Sequence, residues 1–96
     1  MSTVDLPARL HAALREAFPS PLDEIRVEPG YGANLHAWVA SPTFRGAPDY
    51  IRQDRVWDAL RATVPLEDLA RVSMILTFDP EEPEYAWALG ELDRAS

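Results

Sequence analysis

The 96-residue sequence contains no cysteine, which excludes disulfides, a thiol nucleophile, zinc-thiolate sites and any iron-sulfur cluster held by the chain's own thiolates. It contains no lysine either, so all nine cationic side chains are arginines. No apolar run approaches the roughly 20 residues that a membrane span needs. The N-terminus has no basic segment leading into an apolar stretch, so nothing reads as a targeting signal. The expectation is a soluble, cytoplasmic protein with no membrane partner. Internal repeats and low-complexity tracts are also missing. Catalytic patterns are scarce: there is no G-x-S-x-G, no phosphate-cradling glycine loop and no carboxylate pair with a histidine at catalytic spacing, while the two histidines, His11 and His36, are far apart. The chain is therefore expected not to be an enzyme.

What is present fits one small domain. A composition of 47% hydrophobic and 26% charged residues is that of a globular chain, and 96 residues suffice for one core. The formal net charge is −7, and it is unevenly spread. Residues 1–48 hold 4 Arg against 5 acids, and residues 49–96 hold 5 Arg against 11 acids. An acidic chain repels phosphates, and no stretch concentrates arginines without acids among them, so nucleic acid is not the expected partner. Arg45, Arg52 and Arg55 are the one cluster from which a basic patch could form.

Hydrophobic spacing lays out the elements. Leu6, Leu10, Leu14 and Phe18 recur every four residues and draw one stripe on a helix over about 5–18, which Pro19 and Pro21 stop. Glu24-Ile25-Arg26-Val27-Glu28 alternates with period two. Turn residues follow at 29–34, and residues 35–41 alternate again, which predicts an antiparallel hairpin. Pro42 and Pro48 bracket an irregular connection. Asp49 then caps a helix over about 49–64 with a stripe of Ile51, Val56, Leu60 and Val64, flanked by Tyr50 and Trp57 and ended by Pro65. A helical turn at 66–70 precedes a half-buried strand whose core side is Val72, Met74, Leu76 and Phe78. After the acidic connector 79–84, Tyr85, Trp87 and Leu89 keep period two, so residues 83–96 form an extension: an added fourth strand, a short helix on the rim or a flexible tail. The fold class is α+β: helix, strand, strand, helix, short helix, strand, with the helices on one face of a small mixed sheet. Residues 1–82 make the domain.

This order, together with Ser41-Pro42-Thr43-Phe44-Arg45-Gly46, then Arg52 and Val56-Trp57-Asp58-Ala59-Leu60, then Thr77-Phe78-Asp79-Pro80-Glu81-Glu82, resembles the BolA family over roughly residues 8–82. The resemblance implies a fold similar to class II KH domains. It also implies partnership with monothiol glutaredoxins, in which a [2Fe-2S] cluster is shared through a His on the last strand and a His or Cys in the loop before the second strand. Here those positions fall on Arg71 and Asn34. Arginine stays protonated and cannot ligate a metal, and asparagine is a poor iron ligand. His36, two residues beyond Asn34, is the one candidate metal ligand, and strand alternation puts it on the same side as Asn34. The KH-like implication of nucleic-acid binding meets a loop, Gly30-Tyr31-Gly32, that lacks the GxxG spacing and nearby basic residues.

The residues themselves give Phe44, Gly46 and Arg52 a structural reading: the aromatic covers the sheet edge, glycine supplies backbone freedom, and Arg52 bonds the loop carbonyls. Trp38 and Trp57 read as packing. The expected function is a non-catalytic BolA-like adaptor, a monomer or weak homodimer, that docks on a glutaredoxin-like or iron-sulfur maturation partner. Asn34, His36, Phe44, Gly46, Arg52 and Arg71 make its contact face. It binds no cofactor alone, and a [2Fe-2S] cluster enters only as one shared with the partner. The alternative is an acidic interaction module, since residues 79–96 carry 6 acids against Arg94 alone. As a cluster by themselves, Glu81, Glu82 and Glu84 read as solvated surface and not as a catalytic group.

Overall fold

The computed structural model describes residues 5–95. In chain order the elements are α1 (Leu6–Ala17), β1 (Glu24–Pro29), β2 (Leu35–Ala40), a 3-10 turn (Pro42–Phe44), α2 (Asp49–Arg61), α3 (Leu66–Leu69), β3 (Val72–Phe78) and α4 (Pro83–Ala95). The α+β order expected of the sequence is present, with one further helix at the C-terminal end.

Helix α1 starts where Asp5 accepts a hydrogen bond from the Ala8 amide at 3.0 Å, satisfying one of the orphan donors of the first turn. Its buried stripe is Leu6, Leu10, Ala13 and Leu14, and the chain leaves the helix at Phe18 ahead of the two prolines. Arg15 closes this end by donating to the carbonyls of Phe18, Ser20 and Asp23. Helix α2 differs from its expectation in two ways. Pro48, not Asp49, is the cap residue; Asp49 stands in the first turn and accepts from the Thr77 hydroxyl at 3.2 Å. The buried stripe is Arg52, Val56 and Leu60, continued by Val64 in the turn after the helix, whereas Ile51 is half-buried and Tyr50 exposed. The helix ends at Arg61, three residues before the residue that Pro65 biases away from helical geometry.

The sheet has the order β1-β2-β3, with β1 and β2 antiparallel and β2 and β3 parallel, joined by a crossover through α2 and α3. Leu35, Ala37 and Val39 of β2 and Ile25 of β1 are buried on the helical side. On β3 the side expected to be buried is corrected. Leu35 lies opposite Val72 but His36 lies opposite Met74, so Ser73 is an extra residue in the ladder. A single extra residue reverses the alternation. Val72, Ile75 and Thr77 therefore join the helical side, while Met74 and Leu76 turn to the open face with His36 and Trp38. Phe78 is buried on that open face, its ring 5.7 Å from Trp38 and 5.5 Å from Tyr85 of α4.

The core centres on Leu10, Leu14, Val39, Phe44, Val56 and Leu60, all fully buried. Phe44 is thus an interior residue and not a cover for the sheet edge; its ring meets Phe18 edge-on at 5.5 Å and 67°. The C-terminal extension is helical over Pro83–Ala95, not a strand. Tyr85, Ala88 and Leu89, which share one side at helical spacing, are half-buried, whereas Trp87 is 70% exposed. The alternation of Tyr85, Trp87 and Leu89 therefore has no structural counterpart. Residue 96, the end of the expected extension, lies outside the described residues.

Candidate functional site

The residues singled out by sequence divide into two groups at opposite ends of the β2–β3 pair. Asn34, His36 and Arg71 lie where both strands begin; Phe44, Gly46 and Arg52 lie beyond where they end. Six residues of β2 separate them, a span of about 17 to 20 Å. The six therefore lie in two groups, and Phe44 and Arg52 of the second group are buried.

At the first end, the β1–β2 loop is closed by the Gly30 amide donating to the Asn34 carbonyl at 2.8 Å and the Asn34 amide donating to Tyr31 at 3.1 Å. Gly32 takes φ +63°, a conformation glycine adopts without steric cost. Arg71 binds this loop twice: its Nε donates to the Ala33 carbonyl at 3.0 Å, and its own carbonyl accepts from the Leu35 amide at 2.7 Å. Asn34 and Tyr31 are exposed, Tyr31 at 92%. His36 is half-buried on the open sheet face, opposite Glu28 of β1 and Met74 of β3. Its imidazole lies over Gly30, so closely that a Cβ there would stand 2.7 Å from Nε2. Asn34 sits in the loop, and the strand alternation that would pair it with His36 begins only at Leu35.

The donor chemistry at this end does not fit a cluster. Arg71 offers a cation engaged with a carbonyl, Asn34 an amide, and His36 a single imidazole folded against the loop backbone. Among the described residues no three His, Cys, Asp or Glu side chains gather as a metal set.

At the second end two arginines clamp the chain after β3. Arg52 donates Nε to the Ala47 carbonyl at 2.8 Å, as its expected role in the loop requires, and its two terminal nitrogens to Glu82 at 2.8 and 3.0 Å. Its side chain is only 10% exposed, and the guanidinium stands 5.8 Å from the Phe44 ring centre. Arg45 binds Asp79 through two bonds of 3.0 and 3.2 Å and reaches Glu81 at 3.0 Å. Between these elements Gly46 turns the chain at φ +77°. The Asp79 amide donates to Glu82 at 2.8 Å while the Asp79 carboxylate accepts from the Glu81 amide at 3.2 Å. These two bonds, one spanning three residues and one spanning two, close the turn between β3 and α4.

These contacts correct the solvated reading for Glu82, while Glu81 and Glu84 are exposed. Asp79 is buried and Glu82 half-buried, each in a bidentate ion pair, and the exposed Glu81 also bonds Arg45. The D-x-x-E spacing at Asp79 and Glu82, together with an arginine on the buried stripe of α2, was the available signal. The same pairs neutralise two members of the expected basic patch, and the third, Arg55, donates to the Thr43 carbonyl.

Electrostatics at this end are asymmetric in pH. The Arg45 guanidinium, then the Glu81 amide, hold Asp79 below its ordinary value; Arg52, then the Asp79 amide, do the same for Glu82. Both folded values are depressed, so at low pH the unfolded chain takes up protons first. The stabilisation is complete above the unfolded carboxylate values of about 4 and is lost as pH falls through the folded ones. A urea midpoint that drops below about pH 4 in the native chain, and less steeply in Glu82→Gln, is the expected result.

The structure is similar to the crystal structure of a bol-like protein from Babesia bovis, with a TM-score of 0.54 and 19% sequence identity over 94% of this chain and 96% of that one. No protein-family model and no curated protein sequence matches the chain. The fold is BolA-like. No helix among the described residues is long and apolar enough to cross a membrane.

Proposed function

Proceeding from a BolA-like fold, we propose that this chain is a non-catalytic cytoplasmic adaptor that docks on a protein partner, glutaredoxin-like or another component of iron-sulfur maturation. Contact is made through the β1–β2 loop end and does not require a cluster ligand from this chain. The observation that carries the reading is Arg71 holding the loop at Ala33, with Tyr31 and Asn34 exposed beside it. Tyrosine and arginine are the side chains most enriched where protein interfaces concentrate their energy, and a loop pinned at its base loses little entropy on binding. The donor set of Asn34, His36 and Arg71 argues for contact and against ligation. The non-catalytic part rests on the lack of cysteine and on the separation of the two histidines.

Two competing readings have less to draw on. In the acidic-module reading, Asp79, Glu81 and Glu82 are half of the acids in residues 79–96, and all three are engaged with Arg45 and Arg52. In the nucleic-acid reading, those same two arginines are already paired. The test is binding of a purified monothiol glutaredoxin without iron. Charge reversal in Arg71→Glu should raise the dissociation constant about tenfold or more, while circular dichroism and melting stay near those of the native chain because the bond to Ala33 is exposed. An unchanged dissociation constant would remove this end from the interface.

A further inference from the structure

The two edges of the sheet are built differently. Strand β1, at one edge, carries Glu24, Arg26 and Glu28 and ends in Pro29, and charges and proline are devices that keep an edge from pairing. Strand β3, at the other, runs for seven residues without a charge or a proline. Its backbone groups can be assigned a direction. The Ser41 amide donates to the Phe78 carbonyl at 2.9 Å, so Phe78, Leu76 and Met74 turn their backbone groups toward β2, and Ile75 and Thr77 turn theirs away from it. Gln53 of α2 agrees with this assignment, since it donates to the Ile75 carbonyl at 2.8 Å from outside the sheet. Among the described residues nothing else meets these outward groups, which leaves the Ile75 amide and both groups of Thr77 open to a further strand.

The strand that fits this edge is β3 itself. Antiparallel pairing about a twofold axis at Ile75 sets Ile75 against Ile75 of a second copy and Thr77 against its Ser73, so outward-facing groups meet outward-facing groups. Met74 then lies opposite Leu76 on the open face, where Met74 is 43% exposed and Leu76 half-buried, and the pairing covers both. The residues flanking the strand have opposite charge, Arg71 before it and Asp79 after it, and the antiparallel direction brings Arg71 of each copy beside Asp79 of the other. Asp79 is already held by Arg45, so this contact sets direction more than it adds affinity. Two terms oppose the pairing. The Asp49 carboxylates, each bonded to Thr77 of its own chain, stand about four residues or 13 Å apart along the strands, which is beyond a Debye length of about 8 Å. The net charge of −7 repels a second copy as a whole and keeps the association weak. We infer that β3 pairs with β3 of a second copy, joining two three-stranded sheets into one continuous sheet, with a dissociation constant on the order of 100 µM. The inference concerns the chain alone and does not rest on docking at the β1–β2 loop end.

The experiment uses the full chain, 15N-labelled, in sedimentation equilibrium and in amide hydrogen exchange at low and high concentration. The mean mass should rise from monomer toward dimer, and exchange at the Ile75 and Thr77 amides should slow about fivefold at about 1 mM chain relative to high dilution. Met74→Lys, at an exposed position, places a charge opposite Leu76 and should weaken the dimer about tenfold or more while circular dichroism stays that of the native chain. Because the sequence has no cysteine, register can be read by cross-linking. Met74→Cys mixed with Leu76→Cys should form a disulfide faster than either variant alone, since directly opposed residues of a non-hydrogen-bonded pair lie about 4.5 Å apart at Cα and diagonal ones about 7 to 8 Å. A monomer at every concentration would overturn the inference. So would a dimer in which the Ile75 and Thr77 amides exchange as in the monomer, as stacking of two open faces would give, or equal cross-linking in all three samples.

Discussion

Phe44→Ala should lower the stability of the chain by about 4 kcal/mol, the upper range for deleting a buried ring. Phe44 has no exposed surface, meets Phe18 edge-on and lies under the Arg52 guanidinium, so its removal opens a cavity lined from α1, α2 and the connector before α2. A domain of this size has a total stability of only some 5 to 15 kcal/mol, so the loss is a large part of the whole. Phe44→Leu, which refills most of the volume, should cost no more than about 1.5 kcal/mol. Urea unfolding followed by tryptophan fluorescence measures both. A Phe44→Ala loss below that of Phe44→Leu would show that the ring is not an interior residue.

Arg52→Ala should be the second most damaging change, at about 3 kcal/mol, because it strands the half-buried Glu82 carboxylate and leaves the Ala47 carbonyl without its donor. Glu82→Gln keeps the shape and one acceptor and should cost about 1 to 2 kcal/mol. The clamp joins the connector before α2 to the start of α4, so loss should be seen first at the C-terminal helix. Hydrogen exchange of the α4 amides in Arg52→Ala should rise more than exchange of the α1 amides. Equal acceleration in both helices would mean that the clamp supports the domain as a whole and not the C-terminal end. Since Arg52 lies at the end of the sheet away from Arg71, folded Arg52→Ala should bind a partner at the β1–β2 loop with an unchanged dissociation constant.

Much of this architecture was legible in local pattern. Helix α1 announced itself by four-residue spacing and its two terminal prolines, and the hairpin by alternation around a glycine-containing turn. Arg52 was legible as a loop donor because an arginine entering a helix after a glycine turn has carbonyls within reach. Three of the misreadings share a cause, namely that each depended on a partner remote in sequence. Ser73 reverses the alternation of β3 only because of how that strand pairs with Leu35 and His36 of β2. The acidic connector is structured only because Arg45 and Arg52 are brought against it from more than 25 residues away. Likewise, Asn34, His36 and Phe44 lie close in sequence, yet β2 carries the chain from one end of the sheet to the other between them.

Docking at the β1–β2 loop end without a cluster ligand from this chain is tested most directly with a monothiol glutaredoxin mixed anaerobically with the protein, iron and sulfide. The product is followed by size exclusion and by visible circular dichroism, for the native chain and for His36→Ala. A heterodimer is expected in both cases, with the same visible spectrum in both. Separate elution of the two proteins would contradict the docking; a heterodimer spectrum that His36→Ala alters would contradict the absence of ligation and make His36 an iron ligand.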